Sequence, residues 1–190
     1  MRKIIEGSLE LAFFDYGEPL SQALAGAFYA AASEEARAAL LWDSPRESLP
    51  GRWLEQIAAC GGCGFASLDG RPVGVCWLTP LSAGCEGWAA LHMFAPASAR
   101  KSLYASASRF LQAGPAMRYQ GLLAFIPVIY TPTIDLLKRL GFKFLSRLPN
   151  ACWLEARQER CDGKLLILNR APAWRKAGRR RIDSDNQITG

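Results

Sequence analysis

Leu122–Lys143 reads LLAFIPVIYTPTIDLLKRLGFK, and this stretch decides the fold. The run from Gly121 to Tyr130 is almost wholly apolar and about ten residues long, as expected of a strand buried on both faces. Thr131 or its neighbour caps a helix that carries Pro132 in its first turn, where a missing N–H costs little. Gly141 then closes that helix as its C′ residue, and Phe142–Leu148 opens another strand.

Working outward, Gly87–Ala95 is a second apolar strand, ended by Pro96. Ala97–Ala113 is helical, with Leu103, Ala107, Phe110 and Leu111 as its apolar stripe, and Gly114-Pro115 breaks it. A strand, a helix and a strand in this order imply parallel neighbours joined by a right-handed crossover. Upstream lies a hairpin: Gly64–Leu68, the turn Asp69-Gly70, then Pro72–Thr79. Ser8–Asp15 alternates as a strand. Pro19–Ala32 is a helix with Leu20, Leu24, Ala27 and Phe28 on one face. Ser33, followed by Glu34 and Glu35, caps a second helix to about Trp42. Pro45 and Pro50 mark a loop, and Arg52–Cys60 is a third helix stopped by Gly61-Gly62. Downstream, strands Phe142–Leu148 and Lys164–Asn169 are joined through Pro149–Gly163. The expected class is α/β: a mixed, mostly antiparallel central sheet with helices on both faces.

The 190 residues make one domain, 1–171, followed by a basic tail, 172–190, expected to be disordered. No apolar run approaches the roughly 20 residues of a membrane span. The opening Met1-Arg2-Lys3-Ile4-Ile5-Glu6 is a poor export signal because Glu6 and Glu10 interrupt it, so the cytoplasm is the expected location and no membrane partner is expected. The net charge is +6. Arg175, Lys176, Arg179, Arg180 and Arg181 against Asp183 and Asp185 place +3 of it in the tail (five minus two). The body is thus only mildly basic, which speaks against a domain-wide nucleic-acid footprint but leaves the tail able to meet nucleic acid or an acidic partner.

Six cysteines include one CxxC, Cys60–Cys63. Zinc would want a second pair at similar spacing, whereas Cys76/Cys85 and Cys152/Cys161 are each nine apart. A redox CxxC opens a helix, and this one ends a helix. Ordinary reduced thiols, and no metal, are the expectation.

The order of elements resembles the GNAT N-acyltransferase superfamily. The sharpest match is the strand, short helix and Leu140-Gly141-Phe142 of the opening stretch, and the Asp69–Gly74 hairpin is similar to the family's hairpin before its central strand. The resemblance implies that Gly87–Ala95 and Gly121–Tyr130 splay apart at their C-terminal ends. Acetyl-CoA would lie in that cleft as cosubstrate, its pantetheine along the first strand and its pyrophosphate at the next helix's N-terminus, where free N–H groups and the helix dipole favour an anion. Here that place is Phe94–Ser102, so Phe94, Ala95, Ser98, Arg100, Lys101 and Ser102 are the implied cofactor residues. The family's loop carries Arg or Gln and two glycines, and this chain has Ala99, Ser102 and Tyr104 at those places. Without the glycines, backbone approach to phosphate is poorer; the charge and hydroxyls nearby can compensate, or they simply make a capped, solvated helix start.

Many relatives of the superfamily place Asn and then a catalytic Tyr near the second splayed strand; here Tyr130 and Leu137 stand there. Tyr130 is a candidate proton donor or a packing residue. His92, the single histidine, stands on the first splayed strand with Trp88, Ala90 and Phe94 on its face. A catalytic base and a satisfied core imidazole are both open readings, and Glu86 is a comparable candidate. Two functions follow. One is acetyl transfer to a small-molecule or protein amine. The other is a non-catalytic role in assembly or on nucleic acid, as in glycine-poor GNAT-like proteins encoded by phages.

Overall fold

The computed structural model describes residues 2–6, 9–15, 19–32, 37, 43, 49–82, 85–94 and 100–169. The chain order is β1 (Arg2–Glu6), β2 (Leu9–Asp15), α1 (Pro19–Ala31), α2 (Leu49–Ala59), β3 (Gly62–Leu68) and β4 (Arg71–Pro80). There follow β5 (Trp88–Phe94), α3 (Arg100–Ala113), β6 (Gly121–Pro127), α4 (Thr131–Arg139), β7 (Lys143–Leu154) and β8 (Glu159–Asn169). The strands form one eight-stranded sheet in the order β1-β2-β3-β4-β5-β6-β8-β7. Every neighbouring pair is antiparallel except β5 and β6.

The two faces of the sheet are covered by different helices. Phe110 and Leu111 of α3 and Ile134 and Leu137 of α4 pack with Leu78, Leu122 and Leu166. On the other face, Ala25 and Phe28 of α1 and Trp53 and Ile57 of α2 pack with Phe65, Val75 and Trp77. Trp53 is 1% exposed and its indole N–H donates to the Ala25 carbonyl at 2.9 Å, so it joins the two helices as well as the sheet. The Asp69-Gly70 hairpin turn has φ of 50° and 73°, the left-handed pair that a two-residue turn requires.

Several expectations need correction. The second splayed strand ends at Pro127, not Tyr130, because the chain turns there and the Tyr130 N–H bonds back to the Pro127 carbonyl at 3.0 Å. Pro50 is no loop marker; it sits in the first turn of α2, where its missing N–H is tolerated. Ala27 is exposed, and α1 turns Ala25 and Phe28 to the core, with Leu24 half-buried beside them. Pro149–Gly163 is mostly strand: β7 runs through a bulge between Leu148 and Cys152, and the edge position spares Pro149 a ladder bond. Asn150, at φ 51°, donates its backbone N–H to Asp162 Oδ1 at 2.9 Å and fills the gap. Arg2–Glu6 is a strand that the sequence reading passed over. The helix expected over 33–42 and the tail 172–190 lie outside the described residues, apart from Arg37.

Trp53→Ala is expected to lower stability by about 3–5 kcal/mol, the usual range for truncating a buried tryptophan. Urea unfolding reads this as a lower midpoint; a loss under about 1 kcal/mol would remove Trp53 as the joint of α1, α2 and sheet.

Candidate active site

β5 and β6 are paired only at Trp88↔Gly121, Ala89↔Leu122 and Ala90↔Leu123. Beyond these residues β5 continues to Phe94 on β4, and β6 continues to Pro127 on β8, each fully laddered to its other neighbour. The facing edges of Leu91–Phe94 and Ala124–Pro127 therefore separate, and their inward backbone groups take no part in a β5–β6 ladder. Backbone polar groups need partners, and past Ala90 a β5–β6 ladder does not supply them.

The closed end is pinned. A Cβ on Gly121 would lie 2.3 Å from the Trp88 ring, so the glycine lets the indole lie on the β6 backbone. Gln120 also donates its backbone N–H to the Gly87 carbonyl at 2.6 Å.

The two sides of the opening differ. Ala89 and Leu91 of β5 and Leu122 and Ala124 of β6 face α3 and α4. By alternation, His92 and Phe125 face the α1–α2 side, and Phe94 packs there on Phe28 at 5.9 Å between ring centroids. On the α3 side an apolar recess beside the end of β5 is lined by Phe13, Cys76, Met93 and Phe110, among others. It lies under α3, between that helix and β2–β5.

His92 stacks on Trp77, its cross-strand partner, at 4.8 Å and 9° between planes. Trp77 in turn meets Trp53 edge-on at 5.1 Å. The imidazole Nε2 lies 3.2 Å from Thr79 Oγ1. Burial pushes its pKa down to about 4, while the Asp43 carboxylate acts in the opposite direction. At neutral pH the ring is uncharged.

Tyr130 stands at the N-cap of α4, where its carbonyl accepts from the backbone N–H of Thr133 and of Ile134 at 3.0 and 3.1 Å. It is half-buried, just past the end of β6. Phe94 closes β5. Arg100, Lys101 and Ser102 form the first turn of α3, and their side chains, with all of Ala95 and Ser98, lie outside what the structure describes. Glu86 is exposed in the turn before β5, not on the strand. Sequence reasoning missed Trp77 and Thr79 as partners of His92; the register of the β4–β5 pair was the signal that would have found them. Among the described residues no cluster of three or more His, Cys, Asp or Glu could hold a metal. No described helix is long and apolar enough to cross a membrane.

No family model matches the sequence, and no curated protein matches it. Solved structures do match. The chain is similar to the Salmonella typhimurium protein yncA, solved with its cofactor acetyl-CoA, at 16% identity and TM-score 0.63 over 86% of this chain and 94% of that one. It is similar to the ribosomal-protein-S5-alanine acetyltransferase of Vibrio fischeri at 8% identity and TM-score 0.62, covering 89% and 97%. A GNAT-family acetyltransferase of Bacillus anthracis matches at 12% identity and TM-score 0.56, covering 88% and 98%. The chain has the GNAT acetyltransferase fold.

The unfolded chain's imidazole returns to about 6.5. Because the folded value is depressed, the unfolded chain binds more protons between these values. The stability linked to neutral His92 is therefore complete above about pH 6.5 and is lost as pH falls toward 4. The single imidazole resonance is expected to titrate near 4 in folded protein. Urea unfolding should show wild type losing more stability than His92→Gln over that window; a resonance titrating near 6.5 would contradict the burial of the ring.

Proposed function

We propose that the protein is an N-acetyltransferase that moves acetyl from acetyl-CoA to the amine of a small molecule or a protein. The observation that carries this reading is the β5–β6 pair, joined at Trp88–Ala90 and open beyond. The opening offers unladdered backbone to an extended thioester arm, and α3 begins six residues after β5 ends, bringing Arg100, Lys101 and Ser102 with it.

The backbone groups of Leu91–Phe94 fit the amides of a pantetheine arm, and Arg100, Lys101, Ser98 and Ser102 supply charge and hydroxyls for its phosphates. Since α3 packs on one face, the cofactor enters from that face and the amine from the α1–α2 side, where His92 and Phe125 stand. The amine nitrogen attacks the thioester carbonyl, the C–S bond breaks, the thiolate takes a proton and the nitrogen gives one up.

His92 is neutral at working pH, so none of it is lost to protonation, but a pKa of about 4 makes it a weak base. Its part is to hold the incoming amine by a hydrogen bond. Thr79 occupies Nε2, and Nδ1 has no hydrogen-bond partner among the described residues. Tyr130, at the mouth of the opening, is the proton source for the departing thiolate.

Calorimetry with CoA on wild type and on the Arg100→Ala/Lys101→Ala double variant tests the cofactor site. Charge-assisted hydrogen bonds contribute about 1.5–3 kcal/mol, so the double variant is expected to bind about ten- to several-hundredfold more weakly while remaining folded. Unchanged affinity would move the phosphates elsewhere. Absence of any binding to folded wild type would favour the non-catalytic reading.

Tyr130→Phe is expected to lower kcat by about a hundredfold or more with CoA affinity unchanged, the range for loss of a general acid. An unchanged kcat would leave Tyr130 as packing.

A further inference from the structure

Cys152 and Cys161 are directly opposite partners in the antiparallel β7–β8 ladder. The hairpin closes through a 3₁₀ turn, Glu155–Arg157, and Gln158 at φ 52°. Opposite Cα atoms in such a ladder lie about 4.5–5.5 Å apart, inside the roughly 4.4–6.8 Å that a disulfide spans. Both are free thiols. Cys152 is wholly buried, packed against the place where Gly163 lacks a side chain and the Phe125 ring lies. Cys161 is half-buried and meets solvent. The other neighbouring pair, Cys60 and Cys63, is only 2% and 1% exposed, so neither thiol is within reach of a reagent.

We propose that Cys152 and Cys161 form a dithiol site that closes reversibly to a disulfide, with a small-molecule disulfide as the oxidant. The order of attack follows from burial. Cys152 is pushed up to about 12, first by its apolar surroundings and then by the charges of Cys161, Asp162 and Asp43, so it remains a thiol. Cys161, the sulfur that meets solvent, attacks one sulfur of the oxidant as its thiolate, releasing a small thiolate and carrying the other half as a mixed disulfide. Cys152 then attacks the Cys161 sulfur while its proton passes to the departing thiolate. The protein gives up two electrons and two protons, and the oxidant becomes two thiols.

The bond would tie β7 to β8 just past the bulge at 149–151, where the ladder between them is interrupted. Gly163, two residues on, pairs with Pro127 at the end of β6. The site therefore braces the strand that forms one wall of the opening. It stands whether or not that opening transfers acetyl groups.

Trypsin places the two cysteines on separate peptides, Leu148–Arg157 and Cys161–Lys164. The full chain is incubated with oxidised glutathione, its remaining thiols are alkylated, and the digest is weighed. The two peptides are expected to run joined, lighter than their sum by two hydrogens, and to separate on reduction. Cys161 kept as a glutathione adduct beside an alkylated Cys152 would overturn the pair. So would two alkylated cysteines in folded protein under conditions where the urea-unfolded chain oxidises. In Cys161→Ser, Cys152 is expected to stay unmodified; its capture by glutathione there would overturn the order of attack.

Discussion

The ring of Trp88 lying on Gly121 is the contact that the rest of the structure depends on. It fastens two half-sheets at one end. One half, β1 to β5, is antiparallel throughout, and so is the other, β6, β8 and β7. Each strand at the junction is fully committed to its own half: β5 to β4 along Ala89–Phe94, β6 to β8 along Gly121–Pro127. Twist rotates neighbouring strands steadily with respect to one another. With only three residue pairs holding the halves together, that rotation opens the sheet at the far end. The opening is thus a consequence of where pairing stops, and needs no insertion to hold it apart.

The same arrangement separates the two chemical environments. Alternation along β5 sends Leu91 and Met93 to the α3 side and His92 and Phe94 to the α1–α2 side. The aromatic contacts Phe28–Trp53, Trp53–Trp77 and Trp77–His92 run from α1 through α2 and the sheet to the lip of the opening. An imidazole at the end of such a row is desolvated on one side, which is why its pKa falls even with Asp43 acting the other way.

Most elements were legible because their punctuation was local. Asp69-Gly70 demanded a hairpin, and Gly141, at φ 94°, demanded a helix end. What was not legible depended on tertiary partners. Arg2–Glu6 is a strand because β2 offers it an edge, and its own residues looked like the start of an export signal. Pro149 and Asn150 read as the end of a strand, yet β7 absorbs them in a bulge that Asp162 fills from β8. The nine-residue spacing of Cys152 and Cys161 was wrong for a metal knuckle. It is right for a tight hairpin, a distinction that only the register makes. Of the candidate site, His92 and Phe94 could be placed on one face by alternation alone, whereas the stacking partner Trp77 and the hydroxyl of Thr79 came from β4 and had no signal in their own segment.

The missing glycines at the start of α3 fit this division of labour. In a loop with glycines, backbone N–H groups reach a phosphate directly and side chains matter little. Here Ser102 and Tyr104 fall within the first turns of a regular helix, and Tyr104 is 43% exposed. Flexible cations such as Arg100 and Lys101 cost more side-chain entropy to order than fixed backbone N–H groups do. The open stretch, Leu91–Phe94 against Ala124–Pro127, rests on the same three-pair junction at Trp88.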